Sequence, residues 1–472
     1  MSSGILSGSF SRRGLLKAGA ASAALAGVGG LASACSSGSP SSSPSSSKVL
    51  NVAVFTDQAS ADKLAVTAKT FEAANKGVTV KFTGTTGTDW NDFFSKLLTQ
   101  IAAGNIPDIV SVATEGLQLF ASKGLLVALD SYVKQDAADL KEYFADVHPA
   151  LLESMMYQGH LYELTTDFNA GNMFYNTSLL SKAGVERPPA DWTQDDFYNI
   201  AKKIAASDGG AVAWDWVVRL WGSWTSWMYA NGGNLLTEGK WDGGSWLWDT
   251  FYPNDPAAAG RKGGWHWGAP TANSAPVVES LEYMIQLKNE GLSTSPDIGG
   301  GTTLQGLFTS NKIGMTVGGG FWAGGLHNAG MTDTSFDVQY FPKWAVQRHL
   351  FGASGWGIMH ASPNKELAWE YIKTLMTPQN INLLIPGNVS TPARKSMMTA
   401  DRYATTGPKN WQVFYDTLTL YPNTAPIPAP PYYNALANAL NTRTTQAMSS
   451  GSAKAALDGL QSDLESAASQ TS

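Results

Sequence analysis

Two kinds of apolar spacing alternate along the body of this chain. Val49, Leu50, Val52, Val54 and Phe55 form one short β-favouring run and Val78 to Phe82 another, and runs of this kind predict strands. Between them a helix is predicted through Phe71, Glu72 and Asn75, stopped at Gly77. Trp90, Phe93, Phe94, Leu97, Leu98 and Ile101 keep helical spacing behind Asp89, a residue suited to cap a helix. Further strands are expected at Ile109–Val110, Ile313–Val317 and Gly352–Met359. Gln158–Leu164 reads as a hairpin. Helices are expected over 193–204 and 275–291, up to Met376, and from about Ala453. Strands and helices taking turns in this way argue for an α/β fold.

One stretch organises the rest. Leu307 and Phe308 close a helix, Thr309–Lys312 stops it, and Ile313–Val317 is the strand. Then come Gly318, Gly319 and Gly320, followed by Phe321 and Trp322. Ligands of open α/β sheets bind beyond the carboxyl ends of strands, and glycines there permit close backbone approach. Phe321 and Trp322 are therefore candidate ligand faces, with ordinary core packing as the competing reading. The same reasoning nominates Asp57 and Gln58, in the polar loop after the first strand.

Composition narrows the ligand. Residues 1–47 hold no acid, and removing the charges of Arg12, Arg13 and Lys17 takes the net charge from −6 to −9. An acidic body argues against nucleic acid. Charged residues make up only 15%, while 17 tryptophans are present, ten of them between Trp214 and Trp267. Aromatic faces with amide and carboxylate neighbours suit the C–H faces and hydroxyls of sugars. Trp216, Trp221 and Trp224 are the preferred candidates in this cluster. The acids Asp191, Asp195 and Asp196 are better explained as helix caps than as a metal site, so neither metal nor cofactor is expected.

The first 47 residues read as an export segment. Ser11–Lys17 has the form of a twin-arginine signal, and the Ala/Gly/Leu run that follows is too short to span a membrane. Leu31–Cys35 resembles a lipobox, with Leu31 one place early. The single cysteine, Cys35, cannot form an internal disulfide and suits lipid attachment. Residues 1–35 are thus expected to be a lipoprotein signal ending at the lipidated Cys35, and 36–47 a Ser/Pro-rich tether.

Several motifs, in order, resemble family 1 extracellular solute-binding proteins, the maltose-binding-protein-like receptors of sugar ABC importers. Phe308, Lys312, Met315, Gly319 and Trp322 follow one signature, with Asn311 in place of a glycine. Gly104–Ile109 resembles the segment opening the third strand, Asn172–Thr177 the "Y-N" motif, and Gly352–Met359 a crossing strand. Ala361–Ala368, Thr377–Gln379 and Ser390–Arg394 match further on. The resemblance implies a two-lobed, type II periplasmic-binding-protein-like α/β fold with a hinge. Its lobes would comprise 48–170 with 353–400, and 171–352 with 401–472. It implies reversible binding of a carbohydrate, an oligosaccharide by preference, in the interlobe cleft. Delivery would be to a membrane permease, by a lipid-anchored extracellular monomer without enzymatic activity. Glu115, Asp167, Asn169 and Trp356 would face the cleft, while Arg394 would bind ligand or hold the lobes' interface. A receptor for a non-sugar solute is the alternative. A secreted glycosidase is the other, since Asp57, Glu115 and Asp167 could converge as a carboxylate pair.

Overall fold

The computed structural model describes residues 48–207, 211–294, 296–298 and 302–470, all within the unit Ser47–Ser472. The expected leader, Cys35 and the 36–47 tether lie outside the described residues. Among the described residues no helix is long and apolar enough to cross a membrane.

Two sheets organise the body. In the first, Lys48–Phe55 runs parallel between Val78–Thr85 and Ile109–Ala113. Leu350–Ile358 pairs antiparallel with Ile109–Ala113 on one side and Leu164–Ala170 on the other. Thr391–Pro392 and Ala425–Pro426 complete its seven strands. The second sheet has four strands in the order Phe336–Gln339, Asn172–Asn176, Ile313–Gly318 and Val212–Trp214. Leu50, Val52 and Val54 pack with Phe71, Phe82 and Phe144, and the near-continuous apolar runs fit strands covered on both faces. The helix Trp90–Ala102 places Phe93, Phe94 and Leu97 in the other main core, which the tryptophans of the second lobe share.

The chain leaves the first sheet at Ala170, passes through Gly171 and enters the second at Asn172. It returns between Gln339 and Leu350. The two crossings are tied together: the Gly171 N–H donates to the Leu350 carbonyl at 2.9 Å, and His349 Nδ1 lies 3.2 Å from the Gly171 carbonyl. Burial pushes the His349 imidazole down to about 4, so the ring is neutral at pH 7. A neutral ring donating to that carbonyl carries its proton on Nδ1, which leaves Nε2 to accept from Gln347 Nε2 at 3.0 Å.

The strands expected at 49–55, 78–82 and 313–317 are present, as is the Asp89 cap, which accepts from the Asp92 N–H at 2.9 Å. Thr193 and Asp196 cap reciprocally, through Asp196 Oδ2 to the Thr193 N–H at 2.8 Å and Thr193 Oγ1 to the Asp196 N–H at 3.2 Å. Three features depart from the sequence reading. The helix expected through Asn75 is three short pieces, 58–64, 65–68 and 69–74. A helix that the apolar pattern did not reveal, Tyr433–Ser450, follows the Pro-rich passage. The segment 236–270, which has no clear periodicity, folds as a hairpin of Leu236–Lys240 and Trp265–Pro270 carrying the helix Ser245–Phe251.

That hairpin joins both lobes. Its root is held by Arg348, whose Nη2 donates to both carboxylate oxygens of Glu238 at 2.7 Å, and by Gln461, which donates to the Pro270 carbonyl at 3.0 Å. Its tip packs into the first sheet's core through Leu247, Trp248 and Tyr252, with Phe251 stacked on Phe144 at 4.0 Å. Glu153, wholly buried, accepts from Lys240 and Arg261 of the insert at 2.7 Å each.

Two of the three glycines after Ile313–Val317 serve lobe contact, while Gly318 packs against Phe174 and Trp322 of its own lobe. A Cβ on Gly319 would come within 2.6 Å of the Asn169 Cβ, and one on Gly320 would overlap Thr391. Gly324 meets the Gly387 carbonyl in the same way. The helix Phe321–Asn328 therefore lies directly against the first lobe's loop.

Candidate functional site

A cavity of about 1030 Å³ lies at the carboxyl ends of the first sheet's parallel strands. The first lobe contributes the loop after Lys48–Phe55, the Asp89 cap with Trp90, and Glu115 at the start of the helix Thr114–Ser122. Its two antiparallel strands add Thr166, Asp167 and Asn169, and Gly352, Ser354 and Trp356. The facing wall consists of Arg219, Trp221 and Phe321, with Tyr433 from the unforeseen helix. Trp221 and Phe321 meet at 5.5 Å between ring centroids, at an interplanar angle of 58°. Trp90 stands 4.8 Å from Phe55 and is half-buried.

Two acids of this cavity, Glu115 and Asp167, are pushed up by burial. Burial pushes the Glu115 carboxyl up to about 7; neighbouring Asp89 adds to the effect, and Arg219 opposes it. Glu115 is 4% exposed, and its Oε2 accepts no hydrogen bond among the described residues. Burial likewise lowers the Arg219 guanidinium to about 10, against the attraction of Asp89 and Glu115. Arg219 Nε donates to the Trp221 carbonyl at 2.7 Å, and its guanidinium lies 5.6 Å from the Trp221 ring centroid. Asp167, partly open to the cavity, is pushed up to about 6 by burial against its bonds from Ser390 Oγ at 2.7 Å and Thr166 Oγ1 at 3.2 Å.

Of the residues singled out from sequence, six line the cavity: Glu115, Asp167, Asn169, Trp221, Phe321 and Trp356. Asn169 is already engaged, donating to Ser390 Oγ at 2.9 Å and accepting from the Phe321 N–H at 3.2 Å. Trp356 is buried, and its indole N–H donates to Thr166 Oγ1 at 3.1 Å.

The other six lie elsewhere, which corrects the expectation that Asp57, Gln58, Trp216, Trp224 and Trp322 face the cleft and leaves Arg394, for which a structural role was the alternative, outside the cavity. Asp57 caps the helix Gln58–Leu64, accepting from the Ser60 N–H at 2.9 Å and Oγ at 2.8 Å. Gln58 is spent on Asp62, the Phe82 carbonyl and the Gly84 N–H. Trp216 is core, and Trp224 is core with its indole N–H on Thr444 at 3.1 Å. Trp322 packs between Phe174 and Phe308, because successive helical residues point in different directions and Phe321 takes the cavity side. Arg394 is structural, its Nε donating to Asp146 at 2.7 Å and its Nη1 to the Met376 carbonyl at 3.2 Å.

The lining also holds Trp90, Asp89, Arg219, Ser354, Ser390 and Tyr433, none of which is among the sequence candidates. Arg219 had a usable signal: it is a lone cation inside the apolar run Val217-Val218-Arg219-Leu220-Trp221, and a charge so placed needs partners. Among the described residues no group of three or more His, Cys, Asp or Glu is arranged to hold a metal.

Comparison with known proteins gives a family match. The model of the bacterial extracellular solute-binding protein family matches residues 53–381. A binding protein of Brucella abortus is 25% identical over 311 residues, 65% of this chain and 66% of its own length; the chain thus spans just under two thirds of that relative. The diacetylchitobiose binding protein of Streptomyces coelicolor is 25% identical over 358 residues, 74% of each chain. Among solved structures, an ABC substrate-binding protein of Listeria monocytogenes in complex with cycloalternan superposes with a TM-score of 0.70 at 22% identity. It covers 89% of this chain and 98% of its own. A maltose-bound protein of Thermotoga maritima gives a TM-score of 0.67 at 17% identity, covering 88% and 99%. These likenesses share the two-lobed α/β fold described above.

Proposed function

The chain belongs to the bacterial extracellular solute-binding proteins, and from that membership we propose that it is the carbohydrate receptor of an ABC importer. One observation carries the ligand class: a single cavity combines aromatic faces (Trp90, Trp221, Phe321, Trp356) with the acceptors and donors of Glu115, Asp167, Ser354 and Ser390. Flat apolar faces bordered by hydroxyl-binding groups match a sugar's two chemistries. At about 1030 Å³ the cavity lies at the top of the usual range for small-molecule sites, which favours an oligosaccharide. The similar proteins named for cycloalternan, diacetylchitobiose and maltose support the same class.

In this reading the lobes, 48–170 with 353–400 and 171–352 with 401–472, close about the Gly171 and 340–349 crossings and a third passage near residue 400. The insert tip at 245–252 rides with the first lobe. The closed form docks to a permease as a monomer, and a lipid on Cys35 holds the body at the membrane. Binding is reversible and leaves the sugar unchanged.

A glycoside-acting enzyme is the second reading, favoured by the presence of two acids, Glu115 and Asp167, in one cavity. Thermal shift of the full-length chain against maltose, diacetylchitobiose, cycloalternan and monosaccharides tests the proposal. A ligand at a hundred times its Kd adds about 2.7 kcal/mol. A flat panel would move the ligand outside carbohydrates, and release of shorter sugars on incubation would make the protein an enzyme.

A further inference from the structure

Gly352 lies on the return strand Leu350–Ile358, opposite Asn169 in the register. A Cβ at this position would project to 3.2 Å from Trp221 Nε1 and 3.6 Å from Glu115 Oε2. Trp221 belongs to one lobe and Glu115 to the other, Gly352 stands at the boundary where the return strand enters the first sheet, and all three line the cavity. A donor and an acceptor therefore both lie within 4 Å of the space beside Gly352 that a side chain would take up. The acceptor is buried and takes no hydrogen bond among the described residues, a condition that native structures rarely leave without a reason.

We propose that Gly352 is a specificity-determining residue of the cleft, holding open a slot for one hydroxyl of a neutral carbohydrate. That hydroxyl accepts from the Trp221 indole N–H and donates to Glu115 Oε2. The inference rests on the carbohydrate reading and narrows it. A hydroxyl does both from a single atom. An ammonium has no lone pair for the indole N–H, and a methyl ether has no proton for the carboxylate. An anionic oxygen would face Glu115 as a like charge, with Asp89 close enough to add to the repulsion. The groups that set the charge at the slot are Glu115, Asp89, Arg219 and Tyr433. A hydrogen bond to the ionised carboxylate is stronger than one to the neutral acid, so the slot binds better as pH rises through the Glu115 transition near 7.

The test uses the full-length chain and isothermal titration with maltose, diacetylchitobiose and cycloalternan. Gly352 is not in the left-handed region, so Gly352→Ala is compatible with the strand backbone and fills the slot. For a sugar that the unaltered protein binds, Gly352→Ala and Glu115→Gln are each expected to weaken binding by roughly tenfold or more. Trp221→Phe, which keeps a ring and removes the N–H, is expected to weaken it by a smaller factor. Melting temperatures without sugar should stay unchanged in Gly352→Ala and Trp221→Phe, and in Glu115→Gln at pH 4.5, where the buried acid is protonated in the parent; in Glu115→Gln the pH dependence of affinity should shrink to what Asp167 contributes. Unaltered affinity in Gly352→Ala would overturn the slot and leave the receptor reading intact. If the unaltered protein bound none of the three sugars, the receptor reading and the slot would fall together.

Discussion

Two glutamates pack against glycines of the same strand and meet different fates. Glu115 reaches the cavity at Gly352, among Asp89, Arg219 and Trp221. Glu163 is wholly buried against Gly355 and Gly357, and neither of its carboxyl oxygens has a well-formed hydrogen bond among the described residues. Burial pushes both acids up, Glu163 well above the carboxylate range against the Val112 backbone amide, and Glu115 to about 7. The difference lies in their surroundings. Glu115 has charged neighbours and an opening, so its proton can be exchanged for a ligand contact. Glu163 has neither, so its proton is part of the core. A raised carboxyl points to function only where a cavity and partners accompany it.

The same contrast runs through the aromatic residues, and the largest expected effect tests it there. Trp322→Ala removes a core ring lodged between Phe174 and Phe308 and should cost about 3–5 kcal/mol in denaturant unfolding. Trp221→Ala should leave unfolding nearly unchanged and abolish measurable sugar binding; the reverse pattern would exchange their roles.

Next comes the pH dependence of stability. The folded value of Glu163 is raised above its unfolded value of 4.5, so its protonated form favours the folded state. That contribution is fully present below pH 4.5 and is lost as pH rises through the folded value, at up to about 1.4 kcal/mol per unit. Glu163→Gln should therefore raise the melting temperature at pH 7.5 more than at pH 4.5, with no change in sugar affinity. Glu115 sharpens the comparison through ligand binding: its affinity for a neutral sugar should climb by up to about tenfold per unit from pH 5 towards 7, then level off. A profile flat from pH 5 to 8 would place Glu115 with Glu163. The smallest effect expected is that of Asp57→Ala. This removes an exposed cap and should lower melting slightly while leaving titration curves superimposable on the parent's.

How much of this could be read from the sequence depended on periodicity and on partners. Strand ends were legible, because Val49–Phe55, Val78–Phe82 and Ile313–Val317 each match one template. Residues at those ends divided according to local competition. Glu115 and Asp167 reach the cavity, whereas Asp57 and Gln58 are taken by the helix that starts beside them. Of three nominated tryptophans in the dense cluster only Trp221 faces the cleft, since residue type cannot tell a buried ring from a half-exposed one. The three glycines pointed to close approach, but what Gly319 and Gly320 approach is the other lobe, through Asn169 and Thr391, while Gly318 meets Phe174 and Trp322 of its own. The helix Tyr433–Ser450 hid because its apolar stripe, Leu436, Ala437, Leu440 and Ala447, is thin and rich in alanine.

The hairpin 236–270 bears on how the body comes apart. A receptor whose lobes meet only at chain crossings and across an emptied cleft could melt one lobe before the other, in two steps. Here the tip helix Ser245–Phe251 is core to the first lobe, while Glu238 and Pro270 at the root are fastened to the second. Fraying either lobe uncovers Trp248 and Tyr252 or strands the buried Glu153 without Lys240 and Arg261. The hairpin thus makes the lobes one cooperative unit, and heat denaturation of the unliganded body should register as a single sharp calorimetric peak.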